Sequence, residues 1–267
     1  MKGFTVVVPC STSNLGSGFD AIGMALSGPD LMLHVEPGGA GLRIVKLSGD
    51  GVERLPLDAS NRIIQAAYRA TAGAGRDPVE LGAELSIHSS IPLSRGLGSS
   101  AAAAVAGALV ADALLEGAVG EERVLRTAVE MEGHPDNAVP SLRGGTQVSV
   151  RDASGRVLSC AVAIGRPLRA ALYIPDEELT TSAARAVLPK SVSLADAVHN
   201  LGRAALLVAA LGQGRLELIG EAMEDRLHQT ARAGLLPWLP ALLLAAKRGG
   251  ALGVALSGAG TTVCALC

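Results

Sequence analysis

PLSRGLGSSAAAA, residues 92–104, is the stretch from which the rest of this chain is read. Gly96 and Gly98 bracket Leu97, two serines follow, and a run of small apolar residues begins. Glycine allows positive φ and a close approach of backbone to ligand. The run from Ala101 to Leu115 is helix-prone, with Ser99 or Ser100 placed as its N-cap. A helix starting directly after a glycine-rich loop presents unpaired N–H groups and a positive dipole end, which suits an anion. The stretch therefore reads as a phosphate cradle or as a glycine turn before a buried alanine-rich helix, and alone it does not separate the two.

The chain has 267 residues, 49% hydrophobic and 18% charged, with a net charge of −2. Aromatic residues make up only 2%, so the core must be built from Ala, Val and Leu. With neither a basic stripe nor an aromatic stacking platform, nucleic acid is not an expected partner. The amino-terminal apolar run is too short for a signal peptide. Windows 99–119 and 235–246 are interrupted by Asp112 and Glu116, and by Pro237 and Pro240. Neither reaches the roughly 18 apolar residues of a membrane span, so the expectation is a soluble cytoplasmic protein without a membrane partner. Four cysteines are too few for a disulfide scaffold, and Cys264-x-x-Cys267, in an apolar terminal run, reads as structural.

Along the chain, strands are expected at 4–8, 31–36, 42–47, 81–88, 146–151, 157–163, 168–174 and 262–266, with Gly38-Gly39 turning between the second and third. Helices are expected at 61–72 (capped by Ser60 or Asn61), 100–117, 121–132, 180–187, 194–211, 215–230 and 237–248. Strands and helices mix without strict alternation, which favours α+β. The boundary between two units falls near 151–156.

No Walker-type loop, dinucleotide fingerprint or nucleophile elbow is present. Three glycine-rich loops, 9–20, 92–100 and 257–262, each follow an apolar strand-like run, and together they suggest one shared site. They resemble the three motifs of the GHMP kinases, a family of small-molecule ATP-dependent kinases. Pro9, Ser11, Asn14, Leu15, Gly16, Gly18, Phe19 and Asp20 carry the first motif, and residues 92–101 match P-x-x-x-G-L-G-S-S-A at every position. Glu132 to Asn137 (EGHPDN) with Gly144-Gly145, Thr181 and Arg185 before Leu188-Pro189, and Asp225 to His228 with Arg232 resemble the branch of the family that phosphorylates an amino-acid alcohol. Thr261 departs from a frequent proline.

The resemblance implies a two-part α+β fold: an amino-terminal part, 1–152, with a mixed sheet, helices and a left-handed β-α-β crossover, and a ferredoxin-like part, 153–267. It implies ATP and Mg²⁺. Residues Pro92, Leu93, Ser94, Arg95, Gly96, Leu97, Gly98, Ser99, Ser100, Ala101 and Ala102 would hold ATP, with Asn61 facing the adenine. Ser99 and Glu132, or Glu130 in its place, would serve the metal. Arg185 and Arg232 would take the acceptor's carboxylate. Asp136, flanked by His134 and Asn137, would take its ammonium, and Asn14 and Asp20 its hydroxyl. Gly258 and Gly260 would close over phosphates or acceptor. Asp20 is expected to orient the hydroxyl rather than act as a base, because a loose phosphoryl-transfer transition state demands little base strength. Another small-alcohol kinase of the family, or a relative that binds nucleotide without turnover, remain the alternatives. Whether the chain acts alone or as a homodimer is left open.

Overall fold

The computed structural model describes residues 2–267. In chain order the elements are β1 (Phe4–Ser13), β2 (Ile22–Pro37), β3 (Gly41–Gly49), α1 (Arg62–Gly73), β4 (Gly82–Ser89), α2 (Ser99–Leu114), α3 (Glu121–Glu132), α4 (Ala138–Arg143), β5 (Thr146–Arg151), β6 (Val157–Val162), β7 (Ala170–Tyr173), α5 (Thr181–Ala186), α6 (Leu194–Gln213), α7 (Ile219–Ala222), α8 (Gln229–Arg232), α9 (Leu239–Arg248), β8 (Gly253–Leu256) and β9 (Val263–Leu266).

Strand β2 is the spine. Its residues 31–37 pair antiparallel with β4 and its residues 22–24 with β5, while β1 pairs with it from Phe4 to Ser13. The register jumps from Pro9↔Asp30 to Ser11↔Ala25, so residues 26–29 of β2 bulge out at the Gly28-Pro29 pair. The sheet reads β3-β4-β2-β5-β6 with β1 on β2. The Gly38-Gly39 turn does not make a hairpin: β4 lies between β2 and β3, and β3 pairs parallel to β4 through a β-α-β unit containing α1. Alternation along the strands turns Val8, Cys10, Leu31, Leu33, Val35, Leu42, Ile44, Leu85 and Ile87 towards the helices, as a period of two requires.

The helices covering that face are held close by small residues. Ala101, Ala102, Ala104, Ala106, Ala108 and Ala111 of α2 are all buried. A Cβ on Gly107 would stand 2.0 Å from the Ile63 carbonyl oxygen, so α2 meets the α1 backbone directly. This contact matters for the site because the amino-terminal ends of α1 and α2 both reach it.

The carboxy-terminal part carries an antiparallel sheet, β7-β9-β8, with helices, three strands where the ferredoxin-like layout has four. The turn at 152–155, on which the division at 152/153 falls, joins β5 to β6 within the first sheet. One cluster joins the two parts: Leu15 and Ile22 pack with Leu207, Leu211, Ile219, Met223 and Leu266. The expected helix at 215–230 is broken into a 3-10 turn at 216–218, α7 and α8, because Asp225 binds the N–H groups of Leu227, His228 and Gln229. α4 was not expected. Helix α6, which the windows weighed in the sequence passed over, is long and apolar enough to cross a membrane by length and composition, with mean hydropathy 1.3. Here it packs through Leu207 and Leu211, and its Asn200 bonds Ser17 O and Asp225.

Gly107→Ala sets two effects against each other. Helix propensity favours alanine by about 1 kcal/mol, whereas overpacking a close helix contact costs about 1–3 kcal/mol. With a carbonyl oxygen at 2.0 Å the second wins. Urea unfolding should show a lower midpoint for the variant, and a raised midpoint would contradict this account of the helix pair.

Candidate active site

The phosphate-loop candidate is built by crowding. Gly96 has φ +76°, and a Cβ there would lie 2.2 Å from Ser257 O and 2.9 Å from Gly260 N; one on Gly98 would lie 2.3 Å from Ser11 Oγ. All three glycine loops thus touch backbone to backbone. Every carbonyl from 94 to 98 is taken by a neighbour: Ser94 O by Leu179 N, Arg95 O by Thr262 N, Gly96 O by Ser257 Oγ, Leu97 O by Ser11 N and Gly98 O by Ala102 N. Among the described residues, no protein acceptor takes the N–H groups of residues 93–101. Carbonyls tied outward and N–H groups left free make an anion cradle. The cap of α2 is Gly98, with no side-chain cap bond, rather than Ser99 or Ser100. Four of the five non-glycine residues with positive φ, Asn14, Leu15, Asp20 and Ser94, sit in the first two loops. A left-handed leucine is strained, and such strain gathers at functional sites.

The loop opens onto a cavity of about 370 Å³. Pro92 through Ser100 line it, while Ala101 and Ala102 are wholly buried in the helical core and do not. One part of the lining is apolar, with Leu47, Val52, Leu55, Pro56 and Ile87. None of these was singled out in the sequence, since each reads as an ordinary strand or loop hydrophobe. Asn61 lies in this part and uses half of its amide on the frame: Oδ1 caps α1 at Ile63 N and Nδ2 donates to Pro56 O, which leaves one N–H and one lone pair. Its role in the structure is to fold the 56–61 segment into the wall.

A polar cluster completes the lining. Asp20 receives a two-pronged contact from Arg185, NH2 to Oδ1 at 2.6 Å and NH1 to Oδ2 at 3.1 Å. His134 Nδ1 bonds Asp136 Oδ1, and ligand atoms of Asp20, His134 and Asp136 lie within 4.8 Å of one another. Arg232 is buried, donating to Gly258 O at 2.9 Å and to His228 Nδ1 at 2.9 Å. His228 Nε2 lies 3.0 Å from Gly16 O. Burial pushes the His228 imidazole down, with Asp225 opposing and Arg232 adding to the fall. The ring is therefore neutral, with its proton on Nε2 towards Gly16. Phe19 stacks on His228, and both guanidiniums stand near its ring, at 5.8 Å for Arg185 and 5.5 Å for Arg232. Burial, then the charge of Arg185, pull Arg232 down to about 10, so it stays a cation at neutral pH.

Two asparagines expected at the acceptor are bound up in the frame. Asn14 donates to Gly258 O at 2.8 Å and accepts from Asp20 N at 3.0 Å. Asn137 accepts from Ser11 Oγ and donates to Ser13 Oγ. Both line the cavity, as do Gly258 and Gly260, and both join loops far apart in sequence. The two glutamates differ in position. Glu132 lines the cavity and accepts from Ser100 Oγ at 2.7 Å and from Arg62, whereas Glu130 is exposed and paired with Arg126. Arg62 was missed in the sequence. A cation in the first turn of α1, against the helix dipole, is the signal that could have found it. Arg95 lines the cavity with NH1 buried and unpaired by hydrogen bond, 3.8 Å from Glu178.

Residues 61–145 match the GHMP kinases N terminal domain and residues 207–267 the GHMP kinases C terminal domain. A homoserine kinase of Moorella thermoacetica is 42% identical over 98% of this chain and 86% of its own length. One from Deinococcus radiodurans is 45% identical over 97% of this chain and 83% of its own. The crystal structure of homoserine kinase from Cytophaga hutchinsonii superposes with a TM-score of 0.89 at 32% identity, covering all of this chain and 85% of that one. The chain belongs to the GHMP kinase family. Within it, the relatives just described are homoserine kinases.

Burial alone would lower the pKa of His134, but the hydrogen bond and charge of Asp136 outweigh it, Asp20 adds to the upward pull, and the net result is a raised value. A raised folded value means that His134 contributes stability below its unfolded pKa, about 6.5, and loses it as pH rises through the folded one. The stability difference between the wild type and His134→Gln should therefore shrink as pH climbs from about 6 through the raised folded value. Thermal unfolding of both proteins across that range checks it; a difference that grows with pH would contradict the assigned sign.

Proposed function

We infer that this chain is an ATP-dependent homoserine kinase, converting ATP and L-homoserine to ADP and O-phospho-L-homoserine, a cytoplasmic step towards threonine. The observation that carries the reading is the junction of an N–H cradle with paired cations and carboxylates in one cavity. A triphosphate suits the cradle and a zwitterionic alcohol suits the cluster. The hydroxyl oxygen forms a bond to the γ-phosphorus, the bond from that phosphorus to the bridging oxygen breaks, and the hydroxyl proton leaves.

In this reading the free N–H groups of 93–101 receive the phosphates, pre-oriented so that little reorganisation accompanies charge build-up. Arg95 and Arg62 are the cations nearest the cradle. The apolar wall at Leu47, Val52, Leu55 and Pro56 takes the adenine. Glu132 and the hydroxyls of Ser99 and Ser100 are hard oxygen donors, which fit Mg²⁺. When bound, the ion neutralises charge on the phosphates. Arg185 meets the acceptor's carboxylate with its planar donor fork, and Arg232, whose Nε and NH1 are already bonded, adds its fixed charge and NH2. Asp136 beside His134 meets its ammonium, and Asp20 orients its hydroxyl.

Two measurements test the reading. Coupled ADP release with L-homoserine, mevalonate and galactose should show turnover with homoserine alone. Turnover with mevalonate and none with homoserine would replace the assignment by another small-alcohol kinase, and ATP binding without any turnover would make the chain a binding relative. Glu132→Gln should cut kcat by roughly 10²-fold or more, the scale of losing one preorganised charge contact. Glu130→Gln should stay within about twofold, as exposed ion pairs are worth little. Equal losses in the two variants would undo the choice of Glu132.

A further inference from the structure

We propose that Arg185 is a specificity latch: its guanidinium holds Asp20 until an acceptor carboxylate draws it away, so that only a ligand bearing a carboxylate frees Asp20, and water is not phosphorylated while the acceptor site is empty. The proposal rests on the homoserine kinase reading and extends it.

Each prong of the Arg185 fork meets a different oxygen of Asp20, at 2.6 and 3.1 Å. That is the same two-donor geometry with which a guanidinium meets any carboxylate. A substrate carboxylate and Asp20 therefore compete for one fork. The pair is only partly covered, with side chains about a third exposed, so it is not locked by burial. Arg232 cannot make the same exchange. It is 2% exposed and tied to Gly258 O and His228 Nδ1, so it is a fixed cation. One fixed and one exchangeable arginine beside Phe19 give a carboxylate a permanent anchor and a partner it must win. Apart from the Arg185 fork, Asp20 is fixed through its backbone, its N–H donating to Asn14 Oδ1, with φ +56°. Its carboxylate can therefore be released without moving the loop.

The consequence concerns a competing reaction. Water is smaller than any alcohol and always present; its oxygen can bond the γ-phosphorus while the bond to the bridging oxygen breaks, giving ADP, phosphate and a proton. A carboxylate free to orient a water would promote that loss. With the fork in place, Asp20 is engaged unless a carboxylate has entered, and an entering homoserine brings its own hydroxyl to the place water would take. This is specificity by substrate-driven assembly of the site.

The test measures ADP release without homoserine, at saturating ATP and Mg²⁺. Arg185→Gln should raise it by at least about tenfold, a small part of what orienting a reactant can contribute. Adding Asp20→Asn to that variant should return it to the wild-type level. The same Arg185→Gln should lower kcat/KM for homoserine by roughly 10- to 100-fold, the worth of charged hydrogen bonds. In the wild type, L-2-aminobutyrate, which has the carboxylate and ammonium but no hydroxyl, should stimulate ATP hydrolysis several-fold. 3-Aminopropan-1-ol, which lacks the carboxylate, should not. The wild-type arm stands even if the variant does not fold. Hydrolysis unchanged or lowered by both Arg185→Gln and 2-aminobutyrate, or raised equally by the aminopropanol, overturns the latch. Wild-type turnover of homoserine in the same series would leave the kinase reading intact, and its absence would sink that reading instead.

Discussion

The absence of a side chain at Gly96 is the constraint on which the rest depends. Ser257 O and Gly260 N occupy the space a Cβ would need, and Ser11 Oγ does the same at Gly98. Backbones that close can bond each other directly, and five consecutive loop carbonyls are captured from outside by β1, the 257–262 loop, the segment before α5 and α2 itself. A peptide whose carbonyl is pulled outward turns the next N–H inward. The cradle is thus a by-product of how the three loops brace one another. N–H groups fixed in that direction need no reorganisation to meet an anion, which can accept from several at once.

The bracing explains what could be read from the sequence and what could not. Helices α1 and α3, with their caps and apolar period, stand within a residue or two of the expected spans, because those signals are local. The parallel β3–β4 pairing escaped because nothing in two alternating segments says whether a third will come between them. The break in 215–230 escaped because Asp225 competes with the helix for three N–H groups, a use of Asp that spacing does not reveal. The same applies at the site. Asp20, Arg185, Arg232, His134 and Asp136 stand together as the motifs suggested. Asn14, Asn61 and Asn137 line the cavity as expected, and each also spends part of its amide on backbone or serine partners, for Asn14 and Asn137 more than 100 residues away. A small polar side chain with both a donor and an acceptor is what a loop junction recruits, and only contact geometry tells that use from ligand binding.

Two carboxylates that line the cavity share a feature that the motifs do not spell out: each is held by an arginine, Asp20 by Arg185 and Glu132 by Arg62. A polyanionic nucleotide entering next to a bare carboxylate would meet repulsion of about 4 kcal/mol per charge pair at 4 Å and an effective dielectric constant of 20. Pairing each carboxylate in advance removes most of that barrier without removing the oxygen donors themselves.

Arginine is also the residue that the burial at this site demands. Arg232 is almost wholly enclosed, and its pKa falls from 12.5 to about 10. A lysine suffering the same drop would titrate at about 8, close enough to neutrality to lose part of its charge. The neutral His228 beside it follows from the same logic: an imidazolium would add a third cation beside Arg185 and Arg232, while a neutral ring can accept from Arg232 on one nitrogen and donate to Gly16 on the other. The histidine therefore fixes the guanidinium's direction and ties it to the first glycine loop. In this way the buried charge and the loop geometry are set by one chain of bonds.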